Sequence, residues 1–227
     1  TEHARMNSIT WRNVMRLNSS CLWQHILKAA CTVMAIASFP MPVLAEEPPR
    51  MVHTIKLYEG TLKYPPPLWM KTKDTFGDFK VSRKQENNSF HFELIPKTQE
   101  FESWTRIYGI YAWQLADYTL QRFMEESLNA LALGCKSQSK SSLITAEDGR
   151  IVMTYMCPCL QDILVRDGND TESGLLYISN INNTYVKAYQ AWRYSSNDIG
   201  TDRSPMSRDT IAEAVEDMKN IRFMTEQ

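Results

Sequence analysis

An α+β domain is what this chain predicts: a mostly antiparallel sheet built from hairpins, covered by a long middle helix and a C-terminal helix. Three observations carry that prediction. Short turn sequences, Gln85-Glu86-Asn87-Asn88, Asp148-Gly149 and Asn182-Asn183, separate apolar runs of strand length. Helical periodicity appears twice, over 115–133 and over 207–221. The order strands, helix, strands, helix leaves few parallel crossovers, which favours hairpins packed under helices.

Val52 to Tyr58 alternates loosely and reads as a first strand ended by Glu59-Gly60. Tyr64-Pro65-Pro66-Pro67-Leu68-Trp69 cannot be a helix interior or a central strand, because proline fixes φ and lacks a donor; it reads as an extended surface connection. Phe76–Arg83 and Ser89–Ile95 form a hairpin whose second arm sends Phe90, Phe92 and Leu94 to one face. His91 then falls on the polar face, toward solvent. Thr105–Trp113 is apolar on both faces and reads as a central strand.

The best helix follows, with Ala116, Leu120, Phe123, Ser127 and Leu131 on one face and Gly134 as its stop. Ser142–Thr145 and Ile151–Cys157 make a second hairpin, and Gly174–Asn180 with Thr184–Tyr194 a third. Residues 195–207 are polar and loop-like. The closing helix turns Ile211, Val215 and Met218 inward and is capped by Ser207 or Asp209. This order resembles that of PsbP/Mog1-like sandwiches, an analogy of topology that implies a fold and no function.

The first 45 residues read as an export signal. Arg12, Arg16 and Lys28 lead into the apolar run Ala29–Phe39, Pro40 and Pro42 break it, and Val43-Leu44-Ala45 offers small residues for cleavage. A membrane anchor needs about 20 apolar residues, more than this run supplies. A lipobox would place its cysteine after the run, whereas Cys31 lies inside it. Residues 46–51 are then a proline-rich lead-in, and 52–227 a single domain in the periplasm or outside the cell, with no transmembrane helix after cleavage. Losing Arg5, Arg12, Arg16, Lys28 and Glu2 with the leader shifts the net charge from −1 to −4. That balance argues against a nucleic-acid partner, which demands a basic stripe.

Cys135, Cys157 and Cys159 remain after the leader. In an oxidising compartment one pair among them is expected as a disulfide that staples the middle helix to the sheet. A bridge from Cys135 to either of the others closes a loop of about 22–24 residues, worth roughly 3 kcal/mol on chain-entropy grounds. A redox pair or half a metal site are the alternatives. Redox pairs usually show Cys-x-x-Cys at a helix N-terminus, and zinc wants four ligands, where His53 and His91 are the only histidines after residue 45.

Pro96-Lys97-Thr98-Gln99-Glu100-Phe101-Glu102-Ser103-Trp104-Thr105 is the most specific local pattern. It resembles the Pro-x-x-Gln-x-x-x-x-Trp-Thr segment of small, signal-bearing proteobacterial envelope proteins of uncharacterised function. Thr98 stands where glycine is usual there, and Ser103 where asparagine is. The resemblance implies an exported bacterial envelope protein with a strand–turn–strand at this place, and it supplies no active site.

No nucleophile elbow, zinc-protease helix, dinucleotide turn or phosphate loop occurs in the sequence. The acidic pairs Glu125-Glu126, Glu147-Asp148 and Glu216-Asp217 read as solvated faces and turns, and Asp167-Gly168-Asn169-Asp170 as a plain turn. No catalytic residue, metal site or cofactor is therefore assigned. The aromatic residues of the strands are expected chiefly as core. A subset, Trp104, Tyr108, Tyr111, Trp113, Tyr189 and Trp192, is the candidate binding surface. The expected function is that of an exported binding or accessory protein without catalysis, contacting a protein partner in the envelope or a small ligand. A subunit of an envelope or secretion-system assembly, and an exported enzyme using Cys157 or Cys159, are the alternatives.

Overall fold

A computed structural model describes residues 52–70 and 74–225. The leader expected over 1–45 and the lead-in over 46–51 lie outside those residues. Among the described residues the domain is α+β, with a seven-stranded and a three-stranded antiparallel sheet and two α-helices.

The chain begins with the hairpin β1 (His53–Leu57) and β2 (Gly60–Tyr64), turned at Tyr58 with φ of 52°. Next come β3 (Phe79–Glu86), β4 (Ser89–Pro96) and β5 (Arg106–Gln114), then α1 (Leu120–Ala132). β6 (Lys140–Glu147), β7 (Arg150–Cys157), β8 (Thr171–Ile181) and β9 (Thr184–Tyr194) follow. α2 (Arg208–Lys219) and β10 (Arg222–Thr225) close the described chain. The large sheet runs β3-β4-β5-β9-β8-β7-β6, and the small one β1-β2-β10.

The hairpin turns are where the sequence placed them. Asp148-Gly149 and Asn182-Asn183 all take positive φ, as a two-residue turn matched to strand twist requires. The two faces of the large sheet carry different covers, assigned by residue parity. Leu175 and Tyr177 of β8 join Phe92, Tyr108, Ala188 and Trp192 in a core closed by the small sheet (Ile55, Leu57, Leu62) and α2 (Val215, Met218). Leu176 and Ile178 face the other way, where Ile151, Met153 and Tyr185 receive Phe123 of α1.

Four expectations change. β2 and β10 were not separated from their neighbours by periodicity: each is short, and β10 has one half-buried and three exposed residues. The proline segment is extended, but it is not a surface strap. Pro65 and Pro67 are buried, Leu68 donates its backbone N–H to Gln190 Oε1 at 2.8 Å, and Leu68, Trp69 and Met70 pack on the core. α1 starts at Leu120 rather than Leu115, because residues 115–119 form the exit turn from β5, with Asp117 at φ 54° and Thr119 capping Arg122 N–H at 3.1 Å. Asp217, read as part of a solvated pair, is buried on the inner side of α2.

Candidate functional site

The cysteines settle into one arrangement. Cys135, just past α1, is bonded to Cys157 at the end of β7, with Cα atoms 5.5 Å apart and 22 positions between them in sequence. Cys159 is the free thiol among the described residues. Around the bridge, Lys136 N–H donates to the Cys159 carbonyl at 2.8 Å and Gln161 N–H to the Gly134 carbonyl at 2.8 Å. These bonds pull the chain out of the helix after Leu133, so Gly134 ends α1 without a left-handed conformation. Among the described residues no group of three or more His, Cys, Asp or Glu is placed to hold a metal ion.

The six aromatic residues expected as one surface do not form one. Tyr108 and Trp192 lie in the core beneath the small sheet, 2% and 6% exposed. Tyr111, Trp113 and Tyr189 lie on the opposite face. The physical reason is the two-residue period: Tyr108 and Tyr111, or Tyr189 and Trp192, are three apart on one strand and must point oppositely. Trp104 lies on the Tyr189 side, in a separate buried cluster with Ile107, Tyr155 and Ala191 against which Tyr189 packs. It is buried just before β5 under the Arg193 guanidinium, 3.9 Å from the ring centroid.

That guanidinium has its own structural task. Arg193 Nε pairs with Glu172 Oε2 at 2.8 Å, and the Tyr155 hydroxyl donates to Glu172 Oε1 at 3.0 Å. Both charges are about nine-tenths covered, and their mutual satisfaction is what makes burial tolerable. The Pro96–Thr105 segment is likewise locally engaged: Gln99 Oε1 accepts the Thr105 N–H at 2.9 Å, closing the turn from β4 to β5.

The α1 face of β4, β5 and β9 carries a polar–aromatic cluster. Glu93 Oε1 accepts the Tyr111 hydroxyl and, at 3.2 Å, the Tyr189 hydroxyl. His91 is half-buried rather than solvent-facing. Its ring centroid lies 4.8 Å from that of Tyr111, and Nε2 is 3.1 Å from Glu93 Oε2 without hydrogen-bond alignment. Gly109 makes room for this arrangement: a Cβ there would come within 2.3 Å of Tyr189 Cε1 directly across the strand pair. At Gly174 a Cβ would come within 2.4 Å of the Gln190 carbonyl oxygen and 2.8 Å of Tyr155 Cε1. Burial, and then the Glu93 charge, push the Tyr111 phenol well above its ordinary range; burial does the same to Tyr189.

Lys187 of β9 completes the cluster. It occupies an inward position between Tyr185 and Tyr189, and its Nζ sits 4.9 Å over the Tyr111 ring and 5.4 Å over the Trp113 ring. Stacked aromatic faces attract a cation there. Burial nevertheless pulls its pKa down to about 8, with Glu93 acting in the opposite direction.

The same lysine lines a cleft of about 330 Å³ between α1 and the β5–β9 pair. Trp113, Leu115, Tyr118 and Phe123 form its aromatic and aliphatic walls, with Ser127 and Glu126 on the helix side. Glu126 is engaged on the rim, where Arg122 Nε reaches it at 3.0 Å and the Tyr118 hydroxyl donates to it. Tyr185 fixes the floor by donating its hydroxyl to the Tyr118 carbonyl. Trp113 was singled out by sequence as a surface residue and Phe123 as part of the inward helix face; Lys187, Glu93 and Tyr118 were not singled out. A signal was present, since Tyr185-Val186-Lys187-Ala188-Tyr189 puts a charge on the row that alternation assigns to aromatic side chains.

No family model matches this chain, and no curated protein does. Among solved structures it is similar to the Ran-binding protein Mog1p of Saccharomyces cerevisiae, at 13% identity over 77% of this chain and 96% of that one, with a TM-score of 0.47.

Proposed function

We propose that this protein is an exported, non-catalytic binding protein that holds a small ligand in the cleft between α1 and the β5–β9 strands. The observation that carries the reading is the placement of Lys187. A cationic side chain is held among aromatic faces at the wall of a cavity large enough for a small molecule. Packing alone gives no reason to bury an ammonium on the inward row of a central strand, because desolvation disfavours the charged form.

Export rests on the leader pattern over residues 1–45 and is supported by the Cys135–Cys157 bridge, a bond that persists in oxidising compartments. Among the described residues no helix is long and apolar enough to cross a membrane. With Cys157 bonded, a thiol-based alternative would fall to Cys159 alone.

Isolation of the full-length gene product from its native host tests both halves. Intact mass is expected to show a chain processed after Ala45 with one disulfide and one thiol. Extraction under denaturing conditions is expected to release a small molecule that had shielded Lys187 from acylation. Recovery from the cytosol as an unprocessed chain with all five cysteines as reactive thiols contradicts export. Equal acylation of Lys187 before and after extraction contradicts occupancy of the cleft.

A further inference from the structure

We infer that the cleft takes a small aromatic anion, with its ring against the wall of Trp113, Tyr118 and Phe123 and its carboxylate or sulfonate against Lys187 Nζ. This rests on the binding-protein reading above and names the ligand class which that reading leaves open.

Charge selects the anion. Lys187 is the only cationic side chain among the described residues lining the cleft. The carboxylates nearby are already engaged: Glu126 by Arg122 and Tyr118 on the rim, and Glu93 by Tyr111 and Tyr189 behind the aromatic layer. An incoming anion therefore meets a lysine whose ammonium is half stripped of water, where a charge-assisted hydrogen bond is at its strongest. The ion pair also offsets the desolvation that burial imposes on Lys187.

The walls select the ring. Trp113 and Phe123 meet edge to face with centroids 5.5 Å apart, and Phe123 and Tyr185 lie 5.2 Å apart beneath. These rings are in mutual contact, so they form one continuous aromatic wall against which a flat guest lies by offset or edge contacts. About 330 Å³ matches a molecule of one or two fused rings. The buried Ser127 hydroxyl adds a polar group to the helix wall, beside Glu126.

A second concave region, around Arg150, Tyr177 and Arg222, is less suited to an anion despite its guanidiniums. Arg222 donates to the Lys219 and Ile221 carbonyls, and Arg150 to Asp148 Oδ2 at 3.3 Å. The Arg222 donors are occupied in closing the end of α2, and Arg150 is tied to the β6–β7 turn.

Two probes of matched size separate charge from ring. Titration calorimetry on the purified full-length chain compares naphthalene-2-carboxylate with neutral naphthalene-2-methanol, for wild type, Lys187→Met and Lys187→Arg. The carboxylate is expected to bind wild type at least about tenfold more tightly than the alcohol, a difference of about 1.4 kcal/mol. Lys187→Met is expected to lose that preference while keeping the alcohol's affinity, and Lys187→Arg to retain it. Equal affinity of the two probes for wild type overturns the anion assignment but leaves the cleft as a binding site. So does a preference that survives Lys187→Met. Failure of both probes to bind wild type overturns this assignment, and a cleft still equally acylated at Lys187 before and after extraction then removes the binding reading too.

Discussion

Lys187 sets the clearest residue-level expectation, because its environment couples stability to pH. Its pKa is pulled from 10.5 to about 8 in the folded chain. Between those values the unfolded state binds more protons, so stability rises with pH, by up to about 1.4 kcal/mol per unit for one group. Tyr58 and Tyr64 act with the opposite sign: burial raises both from 10.0 to about 12, and Tyr111 and Tyr189 are raised as well. Above pH about 10 the unfolded tyrosines ionise first, and stability falls. Urea midpoints measured across pH are therefore expected to climb from pH about 8 to about 10 and then drop. Lys187→Met is expected to abolish the climb and to stabilise the protein at neutral pH by an amount on the order of 1–3 kcal/mol.

Gly109 supplies a second residue-level expectation. Gly109→Ala drives a methyl into the Tyr189 ring that Glu93 holds in place, and is expected to cost about 1–3 kcal/mol in urea denaturation. Parity explains what was legible here. The sequence identified the aromatic strands, but grouping Tyr108 with Tyr111 ignored the alternation that sends them to opposite faces. The polar cluster on the α1 face pairs residues 78 and 96 positions apart, and no local pattern announces such contacts.

At the scale of elements, hairpins were the most legible units because their turns carry their own chemistry. Asp148-Gly149 and Asn182-Asn183 supply the positive φ that closes each pair, and the strands follow. Helix ends were less so. The amphipathic pattern extends back to Leu115, yet the chain must first leave β5, where Leu115 N–H still bonds the Asn183 carbonyl at 3.0 Å. Only at Thr119 does a side-chain cap let the helix begin. Thr119→Ala is expected to cost about 1 kcal/mol by thermal or chemical unfolding. Breaking the bridge with Cys135→Ala and Cys157→Ala is expected to cost about 3 kcal/mol. The same variant should speed hydrogen exchange around residues 133–136 and 159–161, while the α1 residues that pack on β8 stay protected. Loss of protection throughout α1 would show that the staple, rather than Phe123 and its neighbours, holds the helix on the sheet.

For the molecule as a whole, the seven-stranded sheet ends in two edges guarded by different means. β3 exposes Arg83, Lys84, Gln85 and Glu86 along its outer half. β6 exposes Leu143 and Ile144 but is interrupted between Leu143 and Thr145, where its register to β7 shifts. Deletion of Ile144, which straightens this edge, is expected to produce concentration-dependent self-association in sedimentation experiments; an unchanged monomeric profile would show that the irregularity guards nothing. The short strand β10 escaped the sequence because its partner β2 lies almost the whole domain away, Phe223 against Leu62 and Met224 against Thr61. The cleft escaped it for the same reason, since α1 and β9 meet only after the sheet has assembled.

Backbone amide shift mapping with naphthalene-2-carboxylate tests the cleft most directly. The predicted result is a saturable set of shifts confined to Trp113, Leu115, Tyr118, Phe123, Ser127 and Lys187, with Tyr111 and Tyr189 at its border. Shifts centred elsewhere, such as Arg150 and Arg222, or no shifts at millimolar probe, would contradict it.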